Sequence, residues 1–440
     1  MKATHWMMYT LLGITLLLTA CVDDDKDLSQ PKEPEKTTDL IIPDDADWTT
    51  TRSVNLSIHS PVATRVAIYT DAACTDESLL AETPVSDISK SIELDVAKAN
   101  RALYVQYPAG KGKEVISVPI NRASTRAELS IKLPENVSGF DTNGGEGAYS
   151  YQWYPVKGGE ATLMMEDNWP ETGDYDFNDF VIGYRTQATF FDGHGGSKED
   201  YEQDGLEIKI TFRAMGGYLP YRLGLQLDKT HARYIDDVIE IEGNDLVKME
   251  LQNPGEDAPA IFIFTGTEQL RKRNNGGTFY NTEPDHAIAN NDLVTIKYRL
   301  KINCFKNLEK TQALWAAATS ENQNFFLQKE KNGGREIHLR GYEPTAYYSN
   351  SYAGEAGGNM RTDIKYCSTD NFVWGIKIPV AIPHPIEKID IMQVYSKFRS
   401  WITEPNHSDP SSPDFNENWF KYYDTSKVCL LYTSPSPRDS

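Results

Sequence analysis

Cysteine is scarce, with five in 440 residues. Cys21 directly follows a leader and Cys429 falls in an anomalous tail, which leaves Cys74, Cys304 and Cys367. At most one internal disulfide can form among three, and Cys304–Cys367 is the pairing that leaves each domain self-contained. That count excludes a small disulfide-dense scaffold. Positive charge is also in deficit: 44 Lys and Arg face 64 Asp and Glu, a formal net charge of −20. So acidic a surface repels phosphate backbones, so no nucleic-acid partner is expected. No glycine-rich loop joins a strand to a helix, and no nucleotide site is expected either. The apolar run TLLGITLLLTA (Thr10–Ala20) is too short to span a bilayer but suits the core of a signal peptide.

Small residues precede Cys21 in LTAC, which resembles a bacterial lipobox, and residues 1–20 read as a lipoprotein signal peptide. The implied modification is an N-terminal lipid on Cys21, anchoring the chain to a membrane. The following VDDDKD (Val22–Asp27) resembles the acidic export signal of surface lipoproteins in Bacteroides-type bacteria. It implies an outer-membrane, cell-surface location, with a periplasm-facing one as the alternative. Residues 21–47 are rich in Asp, Glu, Lys and Pro and read as a disordered acidic tether. At the other end, CLLYTSPSPRD (Cys429–Asp439) is what one reading frame of a common transposase-type sequencing adapter encodes. Residues 429–440 are therefore set aside as an artefact, and the natural C-terminus is read as lost at Cys429.

Between these ends the chain reads as mainly β. SVNLSI (Ser53–Ile58) alternates Val54, Leu56 and Ile58, and RVAIYT (Arg65–Thr70) repeats the rhythm. Short strands at near-regular spacing over 48–133 predict an immunoglobulin-like β-sandwich. A Gly- and Asn-rich stretch follows, and 134–428 reads as a larger β-sandwich or jelly-roll-like domain. Its clearest strand is LEIKITFR (Leu206–Arg213). One C-terminal amphipathic helix is expected in IDIMQVYSKFRSWIT, with Asp390 as cap and Val394, Phe398, Trp401 and Ile402 as its stripe.

Three stretches of the larger domain occur in a familiar order. They are MEDNWPETGDYDFNDFVIGYR (Met165–Arg185), REIHLRGYEPT (Arg335–Thr345) and WGIKIPVAIPHPIEKIDIMQVYSKFRSW (Trp374–Trp401). Together they resemble the LruC-type domain of bacterial lipoproteins, over roughly Ala161 to Val428. The resemblance implies an envelope lipoprotein with a small sandwich ahead of the domain. It brings no enzymatic activity and no catalytic residues.

Chemistry concentrates in GDYDFND. Asp174, Asp176 and Asn178 alternate like the opening of an EF-hand loop. Position six is then Asp179 instead of Gly, and position twelve Arg185 instead of Glu, so a true EF-hand is excluded. Calcium takes six to eight oxygen ligands. Asp174, Asp176 and Asn178, completed by Asp179 or by Glu166 and Asp167, are the expected set for a structural Ca²⁺. The competing reading is a rigid corner in which Asp and Asn cap backbone N–H groups without metal. No His–Ser or His–Cys grouping stands near; His194, in FDGHGG, reads as a turn residue. The expectation is a non-catalytic binding or structural module whose ligand is a glycan or an envelope or host protein, of open oligomeric state. The alternatives are a fimbrillin-like adhesin or pilus subunit and a carbohydrate-active hydrolase.

Overall fold

The computed structural model describes residues 34–121, 126–142, 144–193, 195–252, 255–329, 334–404 and 416–429. The signal peptide, Cys21, the tether up to 33, His194 and the tail beyond Cys429 lie outside them.

The first seven strands are β1 (Thr51–His59), β2 (Thr64–Tyr69), β3 (Leu79–Val85), β4 (Lys90–Ala97), β5 (Ala102–Ala109), β6 (Gly112–Pro119) and β7 (Arg126–Lys132). Strict alternation puts Val54, Leu56 and Ile58 of β1 into a core with Ile92, Leu94 and Val105, while the residues between them stay half-buried. One sheet, β4-β1-β7, faces strands β3-β2-β5-β6, which makes the expected sandwich.

The next strands are β8 (Tyr149–Tyr154), β9 (Ala161–Met165), β10 (Phe180–Phe191), β11 (Gly205–Ala214), β12 (Arg222–His231), β13 (Asp237–Glu242), β14 (Lys248–Gln252), β15 (Pro259–Thr265) and β16 (Thr295–Lys301). Helix α1 (Leu308–Ala318) precedes β17 (Gln323–Gln328) and β18 (Glu336–His338), and helix α2 (Ser349–Ala356) precedes β19 (Gly375–Ile378). The larger sandwich opposes β13-β16-β11-β10-β8 to β14-β15-β12-β17-β18. Leu206, Ile208, Ile210 and Phe212 of β11 meet Leu223, Leu225 and Leu227 of β12 between the layers. The two sandwiches are joined edge to edge. Strand β3 pairs with β8 through Ala81–Gln152 and Glu82–Tyr151, so one sheet runs through both.

Strand β10 decides where the corner lies. Its first half pairs with β9 (Phe180 opposite Met165) and its second half with β8 (Phe191 opposite Tyr149). Strand β19 adds to the far side of β9, with Gly375 opposite Met165. The residues between β9 and β10, 166–179, therefore turn back at the end of a three-strand patch that is covered on its second face.

That cover comes from both ends of the described chain. The expected C-terminal helix is broken into α3 (Ile391–Val394) and α4 (Phe398–Thr403). Tyr395 leaves helical conformation, its hydroxyl donates to the Pro383 carbonyl, and it bridges to Tyr423. Asp390 does cap α3, accepting from Met392 N at 2.9 Å. Trp48, Tyr395, Phe398, Trp401, Trp419 and Phe420 close around this pair of helices. Short strands β20 (His384–Pro385) and β21 (Val428–Cys429) pair beside them, with Cys429 buried.

Part of the stretch read as a tether is folded. From Lys36 onward it packs: Leu40, Ile42, Ala46 and Trp48 are buried, while Ile41 between them is 91% exposed. Thr37 donates to Asp390 through both N and Oγ1, at 2.7 Å each. Asn371 donates to the Ile42 carbonyl at 3.1 Å, and the Trp48 indole donates to the Asn371 carbonyl at 2.9 Å. Four apolar side chains and these bonds hold a segment whose acidic residues hide them in a composition window. Thr37→Val removes one of the two bonds and should make residues 36–47 open to limited proteolysis faster than wild type; an unchanged cleavage rate would show that the apolar contacts suffice.

The Cys304–Cys367 disulfide is not formed. Cys304 is free and buried, with its thiol on the Ile302 carbonyl, and Cys367 is free and buried beside Asn371. They belong to different neighbourhoods of the larger domain. Melting curves with and without reductant should therefore superimpose, and a lower melting temperature in reductant would contradict the arrangement.

Candidate metal centre

The corner 166–179 is built by alternation carried through left-handed backbone. Tyr175 and Phe177 have φ of 55° and 52°, a conformation that costs an L-residue roughly 1–2 kcal/mol. Both rings are fully buried, edge to face at 5.6 Å, with Tyr175 also against Phe372 at 5.5 Å. Burying two aromatic rings offsets that cost. With the aromatics turned into the core, Asp174, Asp176 and Asn178 face the other way. Trp169 pins the near side, packed between Tyr352 and Tyr366 at 5.6 and 5.3 Å.

Part of the acidic chemistry is consumed locally, as the metal-free reading requires. Asp176 Oδ1 accepts from Asn178 N at 2.9 Å and its Oδ2 from Lys388 N at 2.8 Å. Glu166 Oε1 accepts from Phe177 N at 2.7 Å, and Asp179 Oδ2 from Asp167 N at 2.8 Å. Asp167 Oδ2 accepts from Leu219 N at 3.3 Å.

These bonds leave a remainder. Glu166 Oε2 and Asn178 Oδ1 are buried without any hydrogen-bond partner, in side chains with no exposed surface. One oxygen each from Glu166, Asp174 and Asp176 lie within 4.8 Å of one another. Glycines leave the space these atoms occupy. A Cβ on Gly173 would stand 2.0 Å from Glu166 Oε2; one on Gly216 would stand 2.0 Å from Asn178 Oδ1 and 2.9 Å from Glu387 Oε2. Asp167 and Asp179 form an adjoining pair over Gly217, whose Cβ would meet Asp167 Oδ2 at 2.1 Å.

The electrostatics carry the same mark. Burial, and then the charges of Asp179, Asp176 and Asp174, hold the Glu166 carboxyl well above its usual range. Burial and Asp174 push Asp176 up to about 8, and burial followed by Asp167 and Asp176 raises Asp179. Burial raises Asp167, and burial with Asp174 lifts Glu387 to about 7. Clustered carboxylates in this state either keep protons or take a cation.

All six residues singled out from sequence meet in this corner, but not in equal roles. Glu166, Asp174 and Asp176 make the tight group, Asn178 turns its carbonyl oxygen toward Gly216 and Glu387, and Asp167 and Asp179 stand to one side. Glu387 is the residue sequence reasoning missed. Its one signal is its place in PIEK, inside the last of the three resembling stretches. In GYEPTAYYSNSY (Gly341–Tyr352), Tyr348 and Tyr352 are buried, at the start of α2 and within it. His338 is fully buried between Asn324 and Glu336.

Residues 204–411 match a domain of unknown function, DUF4842. The DUF4842 stretch begins at Asp204, after the GDYDFND corner, and contains Gly216, Gly217 and Glu387, which close the corner from the other side. The fold is that of a crystal structure titled "Putative lipoprotein from Bacteroides ovatus". The two share 22% identity at a TM-score of 0.66, over 84% of this chain and all of that one. No curated protein matches the chain.

Proposed function

We propose that the chain is a lipid-anchored protein of the Gram-negative cell envelope, with the LruC-type character its motifs suggest. In this reading it is a non-catalytic binding or structural module whose GDYDFND corner is clamped by one Ca²⁺. The observation that carries the ion is the pair of buried, unpartnered oxygens, Glu166 Oε2 and Asn178 Oδ1, beside Asp174 and Asp176. All-oxygen donors of mixed carboxylate and amide type suit calcium; magnesium demands near-ideal octahedral geometry and gives up its waters reluctantly. The ion's role is structural. It would bridge the end of β9 (Glu166), the corner (Asp174, Asp176, Asn178) and the segment leading to α3 (Glu387). Burial of Glu166, Asp167 and Asp176 favours a clamp over an acid–base pair, which needs an open cleft to receive substrate. Cys21 and the acidic residues after it support the anchor and the outward-facing location. The likeness of fold to a protein titled as a lipoprotein agrees with them.

Calorimetric titration tests the ion. Wild type should bind Ca²⁺ with near-unit stoichiometry and more tightly than Mg²⁺. Glu166→Gln should weaken binding at least tenfold, and Gly216→Ala should do the same by steric occupation. Absence of heat, together with identical melting in calcium and in chelator, would remove the ion from the proposal. Protease shaving of intact cells tests the location: loss of the protein from whole cells is expected, and full protection would place it facing the periplasm.

A further inference from the structure

A second site lies away from the corner. A cavity of about 330 Å³ opens where the Asp47–Ser53 segment crosses between the small sandwich and the larger one. That is roughly ten waters' worth of space, and junctions between packed bodies are where ligand pockets tend to occur. Lys377 of β19 is part of its lining. The ammonium donates to the Ser320 carbonyl at 2.5 Å and to the Tyr342 hydroxyl at 3.4 Å, both neutral acceptors. No carboxylate among the described residues lies within ion-pair distance of it. Asp95, which shares the wall, is held by Ser320 N, and Asp47 is held by Lys98 at 2.7 Å. Burial lowers the Lys377 amine to about 8, with Asp95, Asp228 and Glu321 acting in the opposite direction.

Two kinds of uncharged surface line the rest. Trp48, Leu339 and the Tyr342 ring give flat or apolar surface, while Thr49, Thr51, Ser53 and Ser320 give neutral hydroxyls. Arg52, Arg126 and Arg340 add further cations to the wall, and Glu321, which faces Lys229 at 3.9 Å, adds a carboxylate. We infer that this cavity binds a hydroxylated ring carrying one carboxylate, an acidic monosaccharide or the end unit of an acidic glycan, with the carboxylate on Lys377. The ammonium has a third N–H to give and no charged acceptor, which a carboxylate supplies as a charge-assisted bond. Hydroxyl-bearing walls with an aromatic face match a sugar ring better than a purely apolar anion. The inference rests on this cavity alone and is independent of the ion at the corner.

The test is binding of glucuronate, galacturonate and N-acetylneuraminate to the full chain, by calorimetry or ligand-observed NMR, against glucose and acetate. At least one acidic sugar should bind, with glucose and acetate each at least tenfold weaker. Lys377→Met should reduce that binding at least tenfold while leaving the melting temperature and the calcium response at wild-type values. Glucose binding as well as the acidic sugars would remove the carboxylate from the inference, and acetate binding as well would remove the ring. Failure of all three acids at millimolar concentration overturns it, as does undiminished binding by Lys377→Met. If that variant melts early, the wild-type comparison among the ligands still decides. Because the calcium titration is run on the same samples, failure here is separable from failure at the corner.

Discussion

In chelator, the protein should melt at progressively lower temperature as the pH is raised from about 5 to about 8; in millimolar calcium most of that decline should vanish. The sign follows from the direction of the shifts. Glu166, Asp176, Asp179 and Glu387 all have folded-state values raised above those of an unfolded chain, Asp176 to about 8 and Glu387 to about 7. A raised carboxyl means the native state binds more protons than the unfolded one, so stability is complete below the ordinary carboxylate range and drains away as the pH climbs through the folded values. A bound cation replaces the protons and removes the reason for holding them. Calcium at a hundred times its dissociation constant would add about 2.7 kcal/mol on its own. Some slope should survive in calcium, because Asp204 (about 7) and Asp95 (about 6) are raised by burial in other places. Equal slopes with and without calcium would mean that the corner holds itself together through the caps at Asn178, Lys388 and Phe177.

Trp419→Ala should be the most damaging single substitution outside the main core, costing about 3–5 kcal/mol. Trp419 has no exposed surface and touches Tyr395, Phe398, Trp401 and Phe420 at centroid distances of 5.1, 5.2, 5.0 and 5.8 Å. Truncation leaves a void amid rings that rigid backbone keeps from closing in. Phe398 and Trp401 also carry Trp48, so the damage should spread to the N-terminal segment and expose residues 36–47 to protease. Tyr422→Ala, at a residue 42% exposed nearby, serves as the control and should cost under about 1 kcal/mol. If the two variants melt alike, the aromatic cluster is not what fastens the ends of the chain.

How far the sequence discloses this molecule varies with the range of the interaction. SVNLSI and LEIKITFR are legible because a period of two, once one face is buried, is written into neighbouring residues. The corner is legible because its acids and its aromatics sit in one short run. Glu387, Gly216 and Gly217 are not, because they reach the corner from more than thirty residues away and carry no local pattern of their own. Helix α1 escapes notice since its buried face is Ala313, Leu314, Ala317 and Ala318, which contrasts little with its surroundings. The break between α3 and α4 depends on Tyr395 finding Pro383 and Tyr423, which no helical stripe can foretell. The packed part of the tether is hidden for the opposite reason. Its acids dominate any average, while Leu40, Ile42 and Trp48 act singly.

If Cys21 carries the proposed lipid, the docking of residues 36–48 changes the mechanics of that anchor. With lipid on Cys21, a tether free up to residue 47 could hold the folded body up to about 90 Å from the membrane, whereas one that ends at Lys36 reaches at most about 50 Å. Any pull on the lipid then arrives first at Thr37 and its two bonds to Asp390, and next at Trp48 in the aromatic cluster. The segment that takes the strain is the same one whose continuation, Asp47–Ser53, walls the cavity above Lys377.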